Sequence, residues 1–180
     1  MDKVINQIVD WLKDQVNQAG MKGLLVGVSG GLDSAVVAAL IKRACPDHSL
    51  GVIMPLKSNP KDIEHAKLVI DRIGIQGMTV DLTKTHHVMY ATIKEELVKV
   101  NSYQSDRTQM ADANLRARLR MSTLYTIASH YQYLVVGTDN QSEWFTGYFT
   151  KYGDGGVDLL PIVDFTKTEV RDMAKLLNIP

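Results

Sequence analysis

Two hydrophobic patterns take turns along the chain. Across residues 3–18, Val4, Ile5, Ile8, Val9, Leu12 and Val16 recur three and four positions apart, the spacing of one buried helix face. Leu24–Val28 is a short continuous apolar run leading into glycines, which predicts a buried strand. The alternation continues with a helix over Ser34–Ala44, a strand over Leu50–Met54 closed by Pro55, a helix over Pro60–Ile73 and a strand over Met78–Leu82. A helix follows over Thr83–Val100, then a polar loop at 101–106 and a long helix over Thr108–Ser129. Tyr133–Gly137 reads as a fourth strand, 147–156 as a glycine-rich loop and Thr168–Leu177 as a last helix.

Strands that alternate with helices of this length imply a parallel sheet with crossover helices. Apolar runs without polar alternation imply that both sheet faces are covered. The expected fold is therefore α/β, a doubly wound parallel sheet flanked by helices, in one domain over residues 1–180. Ligands of such sheets sit beyond the carboxyl ends of the strands. That rule directs attention to the residues after Val28, Met54, Leu82 and Val136.

Composition narrows the picture by exclusion. With 45% hydrophobic residues, and 20 basic against 20 acidic side chains, the chain lacks the signature of disorder. Zero net charge also argues against a nucleic-acid partner held by broad phosphate neutralisation. Cys45 is the only cysteine, so no disulfide forms within the chain and a reducing, cytoplasmic setting is expected. No apolar stretch approaches the ~20 residues that span a bilayer, and Met1-Asp2-Lys3 does not open a signal peptide.

The chemistry concentrates in five strings. Gly27-Val28-Ser29-Gly30-Gly31-Leu32-Asp33-Ser34 lies between a strand and a helix. Small residues there let backbone N–H groups converge beside a positive helix end, an anion site suited to phosphate. No lysine follows the glycines, so it is not a Walker loop. Asp33 would repel phosphate unless Mg²⁺ lay between them, and the plainer reading makes Asp33 or Ser34 a helix N-cap. Gly137-Thr138-Asp139-Asn140-Gln141-Ser142-Glu143 ends the fourth strand: Thr138 is placed for a ligand, and Glu143 is either a second Mg²⁺ ligand or the capping partner of Asn140. The string 147–158 sets three glycines among Lys151, Asp154 and Asp158, which permits close backbone approach to a ligand or forms an exposed turn. Thr166 and Glu169 form a capping box around Lys167, whose charge opposes the helix dipole unless an anion sits beside it. Asn114 and Arg118 share one helix face, and Arg116 and Arg120 another that reads as solvated. His86 and His87 point different ways and read as surface residues.

Ser29 to Ser34 resembles the pyrophosphate loop of the N-type ATP pyrophosphatases, a superfamily that includes NAD, GMP, asparagine and argininosuccinate synthetases. Gly147-Tyr-Phe-Thr-Lys-Tyr-Gly-Asp-Gly-Gly-Val-Asp158 closely resembles the NAD synthetase family, as do residues 114–121, 137–143 and the Lys167 segment, in the same order. The resemblance covers essentially the whole chain. It implies an adenine nucleotide alpha hydrolase-like, Rossmann-like sheet and a ligase that forms C–N bonds. ATP and Mg²⁺ would activate the carboxylate of deamido-NAD as an acyl-adenylate, and ammonia would then release AMP and NAD.

On this resemblance Gly27, Val28, Ser29, Gly30, Gly31, Leu32, Asp33 and Ser34 hold the ATP phosphates, and Thr138 and Lys167 also contact ATP. Asp33 and Glu143 hold Mg²⁺, and Asn114, Arg118, Lys151 and Asp158 hold deamido-NAD. Asp33 and Lys167 are implied in catalysis, with Asp154 shaping the loop near the reacting amide. The resemblance further implies a homodimer with the dinucleotide at the subunit interface, free ammonia as nitrogen source, and neither nucleic acid nor membrane as partner. The family's pattern continues past Pro180, through another ATP contact and a His-Lys pair over deamido-NAD. The alternatives are therefore a catalytically impaired nucleotide-binding fragment, or another adenylating amidotransferase similar to GMP synthetase.

Overall fold

The computed structural model describes residues 1–180 and has the expected α/β architecture. Four parallel strands, β1 (Gly23–Gly27), β2 (Ser49–Ile53), β3 (Gln76–Thr79) and β4 (Tyr133–Val136), lie in the order β3-β2-β1-β4. Register pairs Leu25 with Leu50 on one side and with Val135 on the other. From β1 the chain winds outward through β2 to the edge strand β3. It then returns to place β4 on the opposite side of β1. The switch in winding direction lies between β1 and β4, where such sheets open a ligand crevice.

Alternation along the strands divides the core. Leu24, Val26 and Val136 pack under α1 (Asp2–Gln18), α2 (Leu32–Ala44), α3 (Pro60–Ile73) and α7 (Lys167–Leu176). Leu25, Leu50, Val52 and Val135 face the other way, against Leu124 and Ala128 of α5 (Thr108–Tyr131). The stripe Ile5, Ile8, Val9, Leu12 and Val16 of α1 is buried as its spacing predicts. α4 (Thr83–Lys99) lies outside α5 and buries only His86. No helix is long and apolar enough to cross a membrane.

Local chemistry sets the element ends. Asn59 accepts the Lys61 amide at 3.0 Å and Pro60 opens α3, which stops at Gly74 with φ 69°. Several expected boundaries move. α2 starts at Leu32 with Gly31 as N-cap, so neither Asp33 nor Ser34 caps it. β3 begins two residues before Met78, because it is an exposed edge where burial writes no continuous apolar run. A 3-10 turn, Ser105–Arg107, extends the loop expected at 101–106. The short helix α6 (Gln141–Thr146) follows β4, and only its cap was evident beforehand. His86 is 1% exposed, which overturns its reading as a surface residue.

Candidate active site

The turn from β1 into α2 is built by two serines. Ser34 Oγ donates to the Gly31 carbonyl at 2.9 Å, accepts the Ser29 amide at 3.2 Å and lies 3.1 Å from Ser29 Oγ. Ser29 Oγ in turn accepts the Gly31 amide at 3.2 Å. Gly30 takes φ +86°, and a Cβ there would sit 2.3 Å from the Asp62 carbonyl oxygen, so a larger residue would push α3 off the turn. No side chain caps α2. Its first-turn N–H groups therefore face outward with the positive end of the helix dipole.

A cavity of about 470 Å³ opens beside this turn, at the carboxyl ends of β1, β2 and β4. Gly27, Ile53, Met54, Leu124 and Val136 give it an apolar floor, while Ser29, Thr138, Asp154 and Arg120 supply polar groups. A smaller cavity of about 220 Å³ shares Ser29, Thr138 and Asp154 with it and adds Gly31, Asp33, Ser34, Asp139 and Glu143. The two form a continuous cleft with one apolar arm and one acidic, amide-lined arm. That division suits a flat heteroaromatic base at one end and phosphates at the other.

The acidic arm carries uncompensated charge. Asp33 is the second residue of α2, and its Oδ2 accepts from Lys167 Nζ, which lies at the first turn of α7. Lys167 is thus neither purely solvated nor waiting for an anion; it is an ion-pair partner. Asp33 Oδ1 and Asp139 Oδ2 are buried with no partner. Burial, with Asp154, Glu143 and Asp33 nearby, pushes the Asp139 carboxyl up to about 7. Glu143 closes a capping box on α6, its Oε2 accepting the Asn140 amide at 3.2 Å, and also lines the smaller cavity. No three His, Cys, Asp or Glu side chains converge as a ready metal cage. The donor set suits Mg²⁺ instead, which takes one or two carboxylates and completes its shell with water and phosphate oxygens.

A third contact surface joins α5 to residues 150–158. Asn114 Oδ1 accepts from Thr150 Oγ1 at 2.9 Å, Arg118 Nε donates to the Lys151 carbonyl at 3.2 Å, and Tyr125 Oη donates to Asp158 Oδ1 at 2.8 Å. Asp158 Oδ2 also accepts the Val135 amide at 2.8 Å, and Asp154 Oδ1 accepts the Thr150 amide at 2.9 Å. The glycines permit this closeness: a Cβ on Gly153 would lie 2.9 Å from Ala117 Cβ. Gly27–Ser34, Thr138, Asp154, Glu143 and Lys167 therefore gather around the cleft. Asn114, Arg118, Lys151 and Asp158 group along α5 and its facing loop. Sequence reasoning missed Asp139, Tyr125 and Arg120. Arg120 leaves the face read as solvated and donates to the Met54 and Leu56 carbonyls at 3.3 and 3.4 Å. Arginines along a helix gave no local sign of which one turns inward.

Residues 4–180 match the family model for NAD synthase. The NH(3)-dependent NAD(+) synthetase of Alkaliphilus oremlandii is 53% identical over 180 residues, which is all of this chain and 72% of that protein. The protein of the same name from Methanocaldococcus jannaschii is 41% identical and is 68% covered. Among solved structures, the NMN synthetase of Francisella tularensis superposes with a TM-score of 0.89 at 33% identity, over 99% of this chain and 71% of that one. The NH3-dependent NAD synthetase of Campylobacter jejuni, solved with a nitrate ion, gives 0.83 at 31% identity, over 99% and 73%.

Proposed function

Since the chain belongs to the NAD synthase family, we propose that it amidates deamido-NAD to NAD, using ATP and ammonia, by way of an acyl-adenylate. The single observation that carries the reading is the cleft beyond β1 and β4, apolar at one arm and lined by an uncapped helix start at the other. A carboxylate is a poor acyl donor. Its oxygen attacks the α-phosphorus, the bond to the β-phosphate oxygen breaks, and pyrophosphate leaves. Ammonia then attacks the acyl carbon, the C–O bond breaks, AMP departs and a proton is lost.

Each group of residues has a place in this scheme. The Gly27–Ser34 turn receives the phosphates on those backbone N–H groups that its two serines and the sheet leave free, where developing charge on the leaving pyrophosphate is stabilised. Thr138 and Lys167 contact the same nucleotide, and Asn114, Arg118, Lys151 and Asp158 hold deamido-NAD. Asp154 fixes the turn of the loop that faces the reacting acyl group, through the Thr150 amide. Asp33 and Glu143 would hold Mg²⁺, and the partnerless Asp33 Oδ1 supports that assignment. Bound Mg²⁺ supplies positive charge against the phosphate oxygens.

We read residues 1–180 as one domain acting as a homodimer. Val88, Met89, Ile93, Leu97 and Val100 are exposed along α4 and its end, and support a second copy as their cover. One unpaired cysteine, Cys45, supports a cytoplasmic setting. The test is to incubate the protein with ATP, Mg²⁺, ammonium and deamido-NAD. AMP and NAD should accumulate in equal amounts. Formation of ADP, or consumption of XMP in preference to deamido-NAD, would overturn the reading.

A further inference from the structure

One charged cluster lies outside the residues assigned so far. Asp112, 14% exposed, is met on three sides. Lys57 Nζ donates to its Oδ1 at 2.7 Å, Arg116 Nε lies 3.0 Å from its Oδ2, and His86 Nε2 lies 3.2 Å from Oδ1. Burial pushes the Asp112 carboxyl up, but Lys57 and Arg116 together hold it below its ordinary value, so it is ionised. Burial lowers His86, whose neutral ring stacks on Tyr90 with centroids 5.8 Å apart. The cluster is thus one anion shared by two cations over a neutral, buried ring.

Its position gives it a task. Lys57 sits in the segment 54–59 between β2 and α3, from which Met54, Pro55 and Ser58 line the apolar arm of the cleft. Leu56 N donates to Ser58 Oγ at 3.2 Å inside the segment, the Pro55 carbonyl accepts the Leu82 amide at 3.0 Å and Asn59 caps α3, while the ties at Met54, Leu56 and Lys57 run to α5. Lys57 adopts φ +52°, a left-handed conformation that a residue with a Cβ holds only against an opposing constraint. Asp112, Arg116 and Arg120 are spaced four apart on α5 and so present one face to this segment.

We propose that Lys57 and Asp112 are positioning residues for ATP: their ion pair, backed by Arg116, latches residues 54–59 into the wall of the nucleotide cleft. The inference rests on the reading of that cleft as the ATP site. An exposed ion pair alone contributes little. This one differs because Asp112 is mostly buried and its loss would leave Arg116 without its anion. A wall that is formed only part of the time weakens binding in proportion to that fraction. The latch therefore acts on ATP affinity, not on the chemical step.

The experiment uses ATP titrated calorimetrically into the wild-type chain and into Lys57→Met, Lys57→Arg and Asp112→Asn, with steady-state kinetics alongside. Lys57→Met should raise the Kd and KM for ATP about tenfold, the effect of losing one charge-assisted hydrogen bond from the bound-competent wall. Its kcat and its KM for deamido-NAD should stay at wild-type values, and Lys57→Arg should restore ATP affinity. In hydrogen exchange without nucleotide, the amides of residues 54–59 should open faster in Lys57→Met and in Asp112→Asn, while those of β1 do not change. Unchanged exchange at 54–59, or wild-type ATP affinity in Lys57→Met, would overturn the latch and leave the ATP site standing. A wild-type chain that binds no ATP would overturn the reading of the cleft itself, and the latch with it.

Discussion

Asp33 and Asp139 both present a buried carboxylate oxygen without a partner, yet they owe it to different neighbours. Asp33 has Lys167 on its other oxygen, whereas Asp139 is surrounded by Asp33, Glu143 and Asp154. Asp33→Asn should lower ATP-dependent turnover on the order of 100-fold, the scale for removing one charge-stabilising group from a transition state, with the melting temperature little changed. That contrast is read by kinetics and a thermal melt on the same sample. Asp139→Asn tests the crowding. In the unfolded chain the carboxyl ionises near its ordinary 3.8, but in the fold only near about 7. Between these values the folded state holds the extra proton, so wild-type stability falls as pH rises across that window and stays low above it. The asparagine does not titrate. Its stability advantage should grow from pH 4 to pH 7 and then level off, and a difference constant with pH would contradict the account. Asp33 was legible because a strand, a glycine turn and a carboxylate lie within one short string. Asp139 was not, because its environment comes from residues at 33, 143 and 154 that only the fold assembles.

α5 is the element that joins the two halves of the site. One of its faces, through Asp112, Arg116 and Arg120, holds the segment after β2; another, through Asn114, Arg118 and Tyr125, holds residues 150–158. Burial, with Asp158 beside it, pushes the Tyr125 phenol well above its ordinary value, so it remains a donor at every working pH. Tyr125→Phe should cost about 1 kcal/mol of stability, the net worth of one hydrogen bond, and raise the KM for deamido-NAD without moving that for ATP. A shift in the ATP constant instead would break the assignment of separate faces. α1 was visible in the spacing of its apolar positions. β3 was misplaced because an exposed edge strand carries little burial signal, and α6 was hidden because six residues are too few to show a period. The inward turn of His86 and Arg120 was equally hidden, since helix periodicity says which residues share a face and not what that face meets.

For the whole molecule, the alternation of strands and helices was enough to reach the doubly wound sheet and the carboxyl ends of its strands, because parallel strands require crossovers and crossovers cover both faces, but the strand order that sets the switch point between β1 and β4 was not legible. What could not be read was the meeting of distant strings: Lys167 with Asp33, and 150–158 with α5. The exposed apolar line on α4 belongs to this scale. Ile93→Glu should convert a dimer to monomer in analytical ultracentrifugation and leave far-UV circular dichroism unchanged, since Ile93 is 43% exposed in the single chain. A sedimentation coefficient equal to that of wild type would remove α4 from the interface. The central claim is that a carboxylate oxygen is transferred to the α-phosphorus of ATP in the cleft beyond β1 and β4. Deamido-NAD labelled with ¹⁸O in both carboxylate oxygens, turned over with ATP and ammonium, tests it by mass spectrometry of the products. The account predicts one ¹⁸O in AMP, one in the NAD amide and none in pyrophosphate; label in inorganic phosphate with ADP as product, or unlabelled AMP, would contradict it.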